Sequence, residues 1–330
     1  MTQAQTKQRG AALLMAMLTV TLVATFAAAA MWQQWRSIEV EQAERARVQS
    51  AWILTGALDW ARLILREDSR SAGADHLAEP WAVPLQEARL STFLAAEKGI
   101  AVAPTNDEAV DAFLSGQIID LQSKLNVNSL IQNGTVSEPA RRSFTRLFET
   151  LGLPPAQLAQ LVENLRFAAD TSAENRSGSL APLMPQRVEQ LVWLGLLPDA
   201  IAALQPYVTV LPAAARAINL NTASAEVISA VVSGLSLADA QRLVSERDRS
   251  HFREVADASR LVPGVDPSAF GDGLVSTRSD FFESRGRLRL GQTIVEERSV
   301  LQRRGNAVVS LQRERGVIDA PAPGTPLPNR

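Results

Sequence analysis

Residues Ala11–Met31, AALLMAMLTVTLVATFAAAAM, run 21 positions without a charged side chain behind the short basic lead MTQAQTKQRG. At about 1.5 Å per residue such a helix reaches about 31 Å, roughly the thickness of a bilayer's hydrocarbon core. One membrane crossing near the start of the chain follows, and the edges of the run decide what it anchors. On the far side Ala27–Ala30 offer the small residues of a secretory cleavage site, and on the near side Gly10 separates the basic lead from the apolar stretch. The apolar core of a removable signal is about 7–15 residues, so this run is long for one. The sequence beyond it stays compatible with helix, with no proline before Pro80 and only Gly56 as an interior breaker before Gly73. A removed signal needs no continuing helix, so the expectation is an anchor that stays on the chain.

From Met31 the helix is predicted to continue to about Arg66. Ala51, Leu54, Leu58, Ala61 and Leu65 are spaced 3, 4, 3 and 4 apart and draw one apolar stripe along an otherwise polar helix. Trp32 and Trp35 suit an interfacial aromatic belt or, equally, a core at the helix end, and the charged stretch Glu39–Arg47 reads as solvated or packed only against neighbouring subunits. Lys7 and Arg9 on one side compete with Arg36, Arg45 and Arg47 on the other, so charge alone does not set the orientation. A helix of about 55 residues exceeds the usual globular length and belongs to membrane or coiled assemblies.

With 330 residues and 46% hydrophobic content the chain can bury a full core and holds room for two or three domains. A net charge of -2 does not point to a polyanion partner, and zero cysteines remove disulfides and thiol chemistry. The sequence has no Gly-rich phosphate loop, no HExxH and no nucleophile elbow. The two histidines, His76 and His251, lie in different regions, and His251 beside Phe252 reads as a helix-end or surface residue. Nothing in these residues assembles a catalytic site.

Ser69–Pro84 is a breaker-rich connection, after which Leu85–Leu94 and Ala112–Val127 are predicted strands. A helical block follows: Pro139–Leu151 closed by Gly152, a helix opened by Pro154-Pro155 and running to about Phe167, and Gln186–Leu194 closed by Gly195. Leu196–Pro212 holds a short helix and an extended segment. Ser224 and Ser236 are predicted N-caps of two helices turned at Gly234, with Glu226 and Asp239 in their first turns. Leu274–Thr277, Phe281–Leu290, Gln292–Gln302 and Asn306–Gln312, with turn residues at Gly286, Gly291 and Gly305, suggest a small antiparallel sheet. Gly316–Arg330 is too rich in proline and glycine to fold and is expected to be a loose tail; no internal repeat is found.

Lys7, Arg9, Gly10 and the apolar stretch from Ala11 resemble the processing site of the type IV pilins and type II secretion pseudopilins. The resemblance implies a cut between Gly10 and Ala11 and methylation of the new N-terminus. Most of that family carry glutamate at the fifth mature position; this chain carries Met15, as in the member that usually lacks it, the large minor pseudopilin, general secretion pathway protein K. Ile118–Leu130 with Asp120, Asn126 and Asn128, the stretch EQLVWLGLLPDAIAALQPYVTVLP, and Ala217–Phe252 with Asn219 and Asn221 are similar to the same family. Read as residues, Asn126 and Asn128 close turns or hold backbone groups, because their side chains bond locally to the main chain.

The fold implied is α+β, a pilin-like long N-terminal helix on an antiparallel sheet with a large inserted all-α domain. The expected division is a prepilin leader over 1–10, a transmembrane part of the helix over 11–31 and its periplasmic part over 32–70. The pilin-like domain takes 71–128 and 275–315, the inserted helical domain 129–274, and the disordered tail 316–330. The implied role is non-enzymatic: a subunit at the tip of a periplasmic pseudopilus, starting its assembly and limiting its length in the export of folded proteins. The implied partners are the I and J minor pseudopilins, the major pseudopilin, the prepilin peptidase, the inner-membrane secretion platform and the inner membrane itself, with the bulk of the chain periplasmic. A minor pilin of a type IV pilus is the alternative that shares the leader and stem.

Two further expectations concern ligands. Protein K relatives commonly bind calcium through an acidic loop in the insertion; here Ala168–Ser179 keeps only Asp170 and Glu174. Calcium takes about six to eight oxygens, so a shortened, metal-free loop is the favoured reading and a calcium site at Asp170 and Glu174 the alternative. Hairpins like Ala217–Phe252 bind DNA backbone in other proteins, the second alternative being an exported DNA-binding protein. Between Asn219 and Phe270, however, five arginines face seven acidic residues, which is no footprint for phosphate, so no nucleic acid is expected.

Overall fold

The computed structural model describes residues 9–71, 73–91, 112–170, 180–271, 273–291 and 293–319. The chain divides into two compact units, Met1–Thr55 and Gly56–Arg330.

Helix α1, Arg9–Arg70, enters both. In the first unit its apolar stretch is bare along all sides; Leu14 is 70% and Phe26 67% exposed. The threonine hydroxyls fold back on the helix: Thr19 donates to Ala16 O (2.9 Å), Thr21 to Leu18 O (2.9 Å) and Thr25 to Leu22 O (2.8 Å). Polar groups satisfied within the helix are compatible with a lipid surround, where an unpaired donor is costly. The rings of Trp32 and Trp35 lie 5.5 Å apart, one turn beyond the apolar stretch.

The second unit contains, in chain order, β1 (Leu85–Arg89), β2 (Ala112–Asp120), β3 (Leu125–Asn126), β4 (Ile131–Gln132), β5 (Thr135–Val136), α2 (Glu138–Thr150), α3 (Pro155–Ala169) and α4 (Pro198–Leu204). Then come β6 (Val208–Thr209), β7 (Ile218–Asn219), α5 (Ala225–Val231), α6 (Leu237–Arg249), α7 (Val255–Arg260), β8 (Val275–Ser276), β9 (Phe281–Leu290), β10 (Thr293–Arg304) and β11 (Ala307–Asp319). The main sheet has the order β1-β2-β9-β10-β11, antiparallel throughout.

Leu58 and Leu65 of α1 pack against Trp81, Phe282 and Leu301, so the predicted stripe covers the sheet in this unit. Each leucine fully removed from water contributes about 1.5–3 kcal/mol. The buried Trp81 ring meets Phe282 edge-on at 5.2 Å, and its Nε1 donates to Glu79 Oε2 at 2.7 Å. Two carboxylates are also buried in the sheet, each between two arginines: Glu283 with Arg285 and Arg298, and Glu297 with Arg313 and Arg315. Such charges are tolerated inside only when paired.

Gly286, expected as a turn residue, lies inside β9 opposite Gly116 of β2. A Cβ on Gly116 would stand 3.0 Å from Arg285 O, so a glycine here allows the strands to approach, while Gly291 and Gly305, at φ 59° and 57°, make the turns. The expected loose tail begins later than Gly316, because β11 keeps its pairing with β10 as far as Asp319 opposite Thr293. Residues 320–330 lie outside the described residues.

The helices between β2 and β9 enclose their own core, with Phe144, Leu161, Leu191, Leu220 and Ile228 among its members. Gly152 and Gly195 take φ 66° and 89° after helical segments, as the capping argument requires, although Val188–Leu194 is a 3-10 helix. The expected boundary between 128 and 129 falls inside a block that belongs with the helices: β3 pairs in parallel with β6, and Asn126 binds backbone at 211–215. Likewise β8 pairs with β7, so the returning part of the main sheet starts at Phe281 rather than 275.

One device appears twice, where no repeat was expected. Leu125-Asn-Val-Asn128 and Ile218-Asn-Leu-Asn221 each open on a two-residue parallel strand pair, and in each the first asparagine's Oδ1 accepts from the second asparagine's N–H, at 3.1 and 2.9 Å.

Candidate functional site

The buried polar centre of the second unit forms where β2 ends, β7 begins and the chain returns toward β9. Asp120 caps the 3-10 turn Leu121–Ser123, accepting from Gln122 N at 2.8 Å through Oδ1. Its Oδ2 accepts from Thr222 Oγ1 (2.6 Å), Ser279 Oγ (2.6 Å) and Asn219 Nδ2 (3.2 Å). Burial pushes this carboxyl up to about 6, against the hydrogen bonds that favour its charge. Asn219 Nδ2 also reaches Asp75 O at 3.1 Å and Ser279 Oγ at 2.9 Å.

Asp75 continues the network outward. Its Oδ2 accepts from Ser279 N at 2.7 Å, and its Oδ1 from Arg303 Nη1 at 2.8 Å, while Arg303 Nη2 donates to Asp68 at 2.8 Å. Burial raises both Asp75 and Asp68, with Arg303 pulling each the other way. Oxygens of Asp68, Asp75 and Glu79 lie within 4.8 Å of one another, yet the Arg303 guanidinium already supplies the cation to two of them. We therefore assign no metal to this cluster. The two histidines expected in separate regions meet beside it, with parallel rings 3.8 Å apart.

The asparagines do more than close local turns. Asn126 accepts from Leu211 N (2.9 Å) and donates to Pro212 O and Ala215 O (2.9 Å each), and Asn128 donates to Leu211 O (2.9 Å). Asn221 bridges Phe252 N and O at 2.8 and 2.9 Å. These side chains replace missing secondary structure by binding main chain 31 to 89 positions away in sequence. Asp75, Ser279 and Arg303 were not singled out from the sequence, because their roles depend on partners far along the chain.

The other predicted residues stand apart from this centre. Gly10 and Ala11 lie in the opening turns of α1, and Met15 is exposed on the same helix. Asp170 forms the C-cap of α3, its N–H donating to Phe167 O, and Glu174 lies outside the described residues. The rest of the loop in which calcium was the alternative, residues 171–179, lies outside the described residues as well.

The hairpin turns at Gly234 (φ 78°), and Ser224 and Ser236 accept from Val227 N and Asp239 N as predicted caps. Its first helix is buried along most of its length. Arg247 is spent on Leu220 O and Ala223 O, and Arg242, Arg249 and Arg260 are paired with Asp239, Glu246 and Asp257. Arg247 thus serves the core, while Arg242, Arg249 and Arg260 stand exposed in pairs within their own helices.

Residues 123–213 and 218–277 match two models described as type II secretion system (T2SS), protein K. Type II secretion system protein K of Pectobacterium carotovorum subsp. carotovorum is 25% identical over 94% of this chain and 98% of its own length, and that of Klebsiella pneumoniae 28% over 94% and 97%. The likeness to type II secretion system protein K runs over nearly the whole chain.

A chain of the GspK–GspI–GspJ complex from enterotoxigenic Escherichia coli shares the fold, with a TM-score of 0.65 at 20% identity over 83% of this chain and 98% of that one. The α+β class expected from the resemblance is thus the observed one. These likenesses support a minor pseudopilin of type II secretion, and α1 is the one helix among the described residues long and apolar enough to cross a membrane.

Proposed function

We propose that this chain is a protein K family member that caps the tip of a type II secretion pseudopilus, starts its assembly and limits its growth. The observation that carries this reading is α1, a single helix that is bare and apolar from Ala11 to Met31 and lies on a sheet at Leu58 and Leu65. A stem of this kind keeps a subunit in the inner membrane until assembly withdraws it, with the globular part periplasmic. The I and J minor pseudopilins, as in the related complex, are the expected neighbours, followed by the major pseudopilin, the prepilin peptidase and the inner-membrane platform. The inserted helical domain supplies bulk that leaves no room for a subunit above.

Processing between Gly10 and Ala11 removes the basic lead and leaves the apolar stem on the chain. Met15 takes the place of a glutamate that, in a shaft subunit, would need a partner for its buried charge. A subunit with nothing above it needs no such pairing.

Intact-mass analysis of the protein purified from a secreting cell tests this. A mature N-terminus at Ala11, methylated, supports the reading, and one beyond Ala30 removes the stem and the filament role with it.

A further inference from the structure

His76 lies in the link between α1 and β1, and His251 in the loop between α6 and α7, yet their rings stack face to face, 3.8 Å apart and 10° from parallel. Two neutral imidazoles sit comfortably at that spacing. Two imidazolium ions do not, because like charges at ring-to-ring distance repel strongly wherever water is partly excluded.

The charged groups facing the pair come from every element around it: Asp68 from α1, Asp75 and Glu79 from the link, Arg253 from the α6–α7 loop, and Arg303 from β10 behind the two aspartates. The carboxylates pull toward the charged forms, Asp68 and Asp75 at His76 and Glu79 at His251, but burial outweighs them and each carboxylate is already engaged. Asp68 and Asp75 are held by Arg303, and Glu79 Oε2 accepts from His76 N at 2.8 Å and from Trp81 Nε1 at 2.7 Å. His76 Nδ1 also accepts from Ala78 N at 3.3 Å, a bond that needs an unprotonated nitrogen.

We propose that His76 and His251 form an acid-released clasp between the link after α1 and the inserted helices. Stacked and neutral, the rings tie the α6–α7 loop to the link; doubly protonated, they part. Burial lowers both groups from the ordinary imidazole range, and each of His76 and Arg253 lowers His251 further. The sign follows: the clasp is at full strength above the ordinary histidine value and is lost as pH falls through the depressed ones. Because the groups interact, the pair loses its protons in two linked steps rather than as two independent residues. The clasp would make the hold on the insertion's hairpin a function of the surrounding pH, with Asp75 and Ser279 left in place.

The test uses the full chain in detergent micelles, where the presence of only two histidines makes a 13C-histidine label read nothing else. Both ring signals should titrate with midpoints below that of free imidazole, and His76→Gln should move the His251 midpoint back toward it. His251→Gln should do the same for His76, which guards against one variant failing to fold. Amide exchange at residues 250–254, corrected for its intrinsic pH dependence, should rise on acidification in the wild type alone. Wild-type midpoints at the free imidazole value, or a His251 midpoint unmoved by His76→Gln in a folded protein, overturn the clasp.

Discussion

Arg303 of β10 donates to Asp75, 228 positions earlier in the chain, across 2.8 Å, and the same guanidinium holds Asp68. All three groups are largely buried, with Asp75 only 2% exposed. Removing the arginine leaves two carboxylates facing each other without a cation. Arg303→Met is expected to cost about 3–5 kcal/mol, read as a lower denaturant midpoint. Adding Asp75→Asn should return part of the loss, and a single variant as stable as the wild type would show that the pair contributes nothing.

A different pH response belongs to Asp120. Its carboxyl is pushed up to about 6 in the fold against an ordinary value of 3.8, so the folded state holds the proton more tightly than the unfolded one. The contribution is complete below 3.8 and is lost as pH rises through 6. Relative to Asp120→Asn, the wild type should therefore lose about 3 kcal/mol between acid and neutral pH. Parallel denaturation curves for the two proteins across that range check it; a constant difference would mean that Asp120 ionises normally.

Asn126 offers a test without charge. Alanine there orphans Leu211 N, Pro212 O and Ala215 O, groups held at 2.9 Å in the wild type. A loss of about 2–4 kcal/mol is expected for Asn126→Ala by chemical unfolding, since each buried group left unpaired costs about 1–3 kcal/mol. A loss below about 1 kcal/mol would mean that water replaces the side chain.

The patterns that survived from sequence to structure are those set by neighbours. Ser224, Ser236, Gly152, Gly195 and Gly234 act within a turn or two of themselves, and the structure uses them as the local rules require. The stripe at Leu58 and Leu65 was legible for the same reason, because helical spacing alone puts both on one face. Gly286 was misjudged because a glycine in a strand and a glycine in a turn look alike until the opposing strand, with Gly116, is known. The polar centre was half visible: Asp120 and the asparagines stand out, but Ser279 and Arg303 lie in ordinary polar sequence and acquire meaning only from residues 60 to 235 positions away.

Met15 bears on the proposed position in the filament. Met15→Glu should leave removal of residues 1–10 unchanged, seen as the same mature mass, because the side chain lies beyond the proposed cut. Abolished maturation would assign that position to peptidase recognition instead.

β2 ends at Asp120 and its sheet neighbour β9 starts only at Phe281. A polypeptide emerging from the ribosome therefore presents a β1–β2 pair whose second strand waits for a partner made last, while the helices in between can already close on themselves. Shortening the gene's 3′ end would then leave those helices intact and the free side of β2 unmatched, with Trp81 and Leu65 uncovered and open to aggregation.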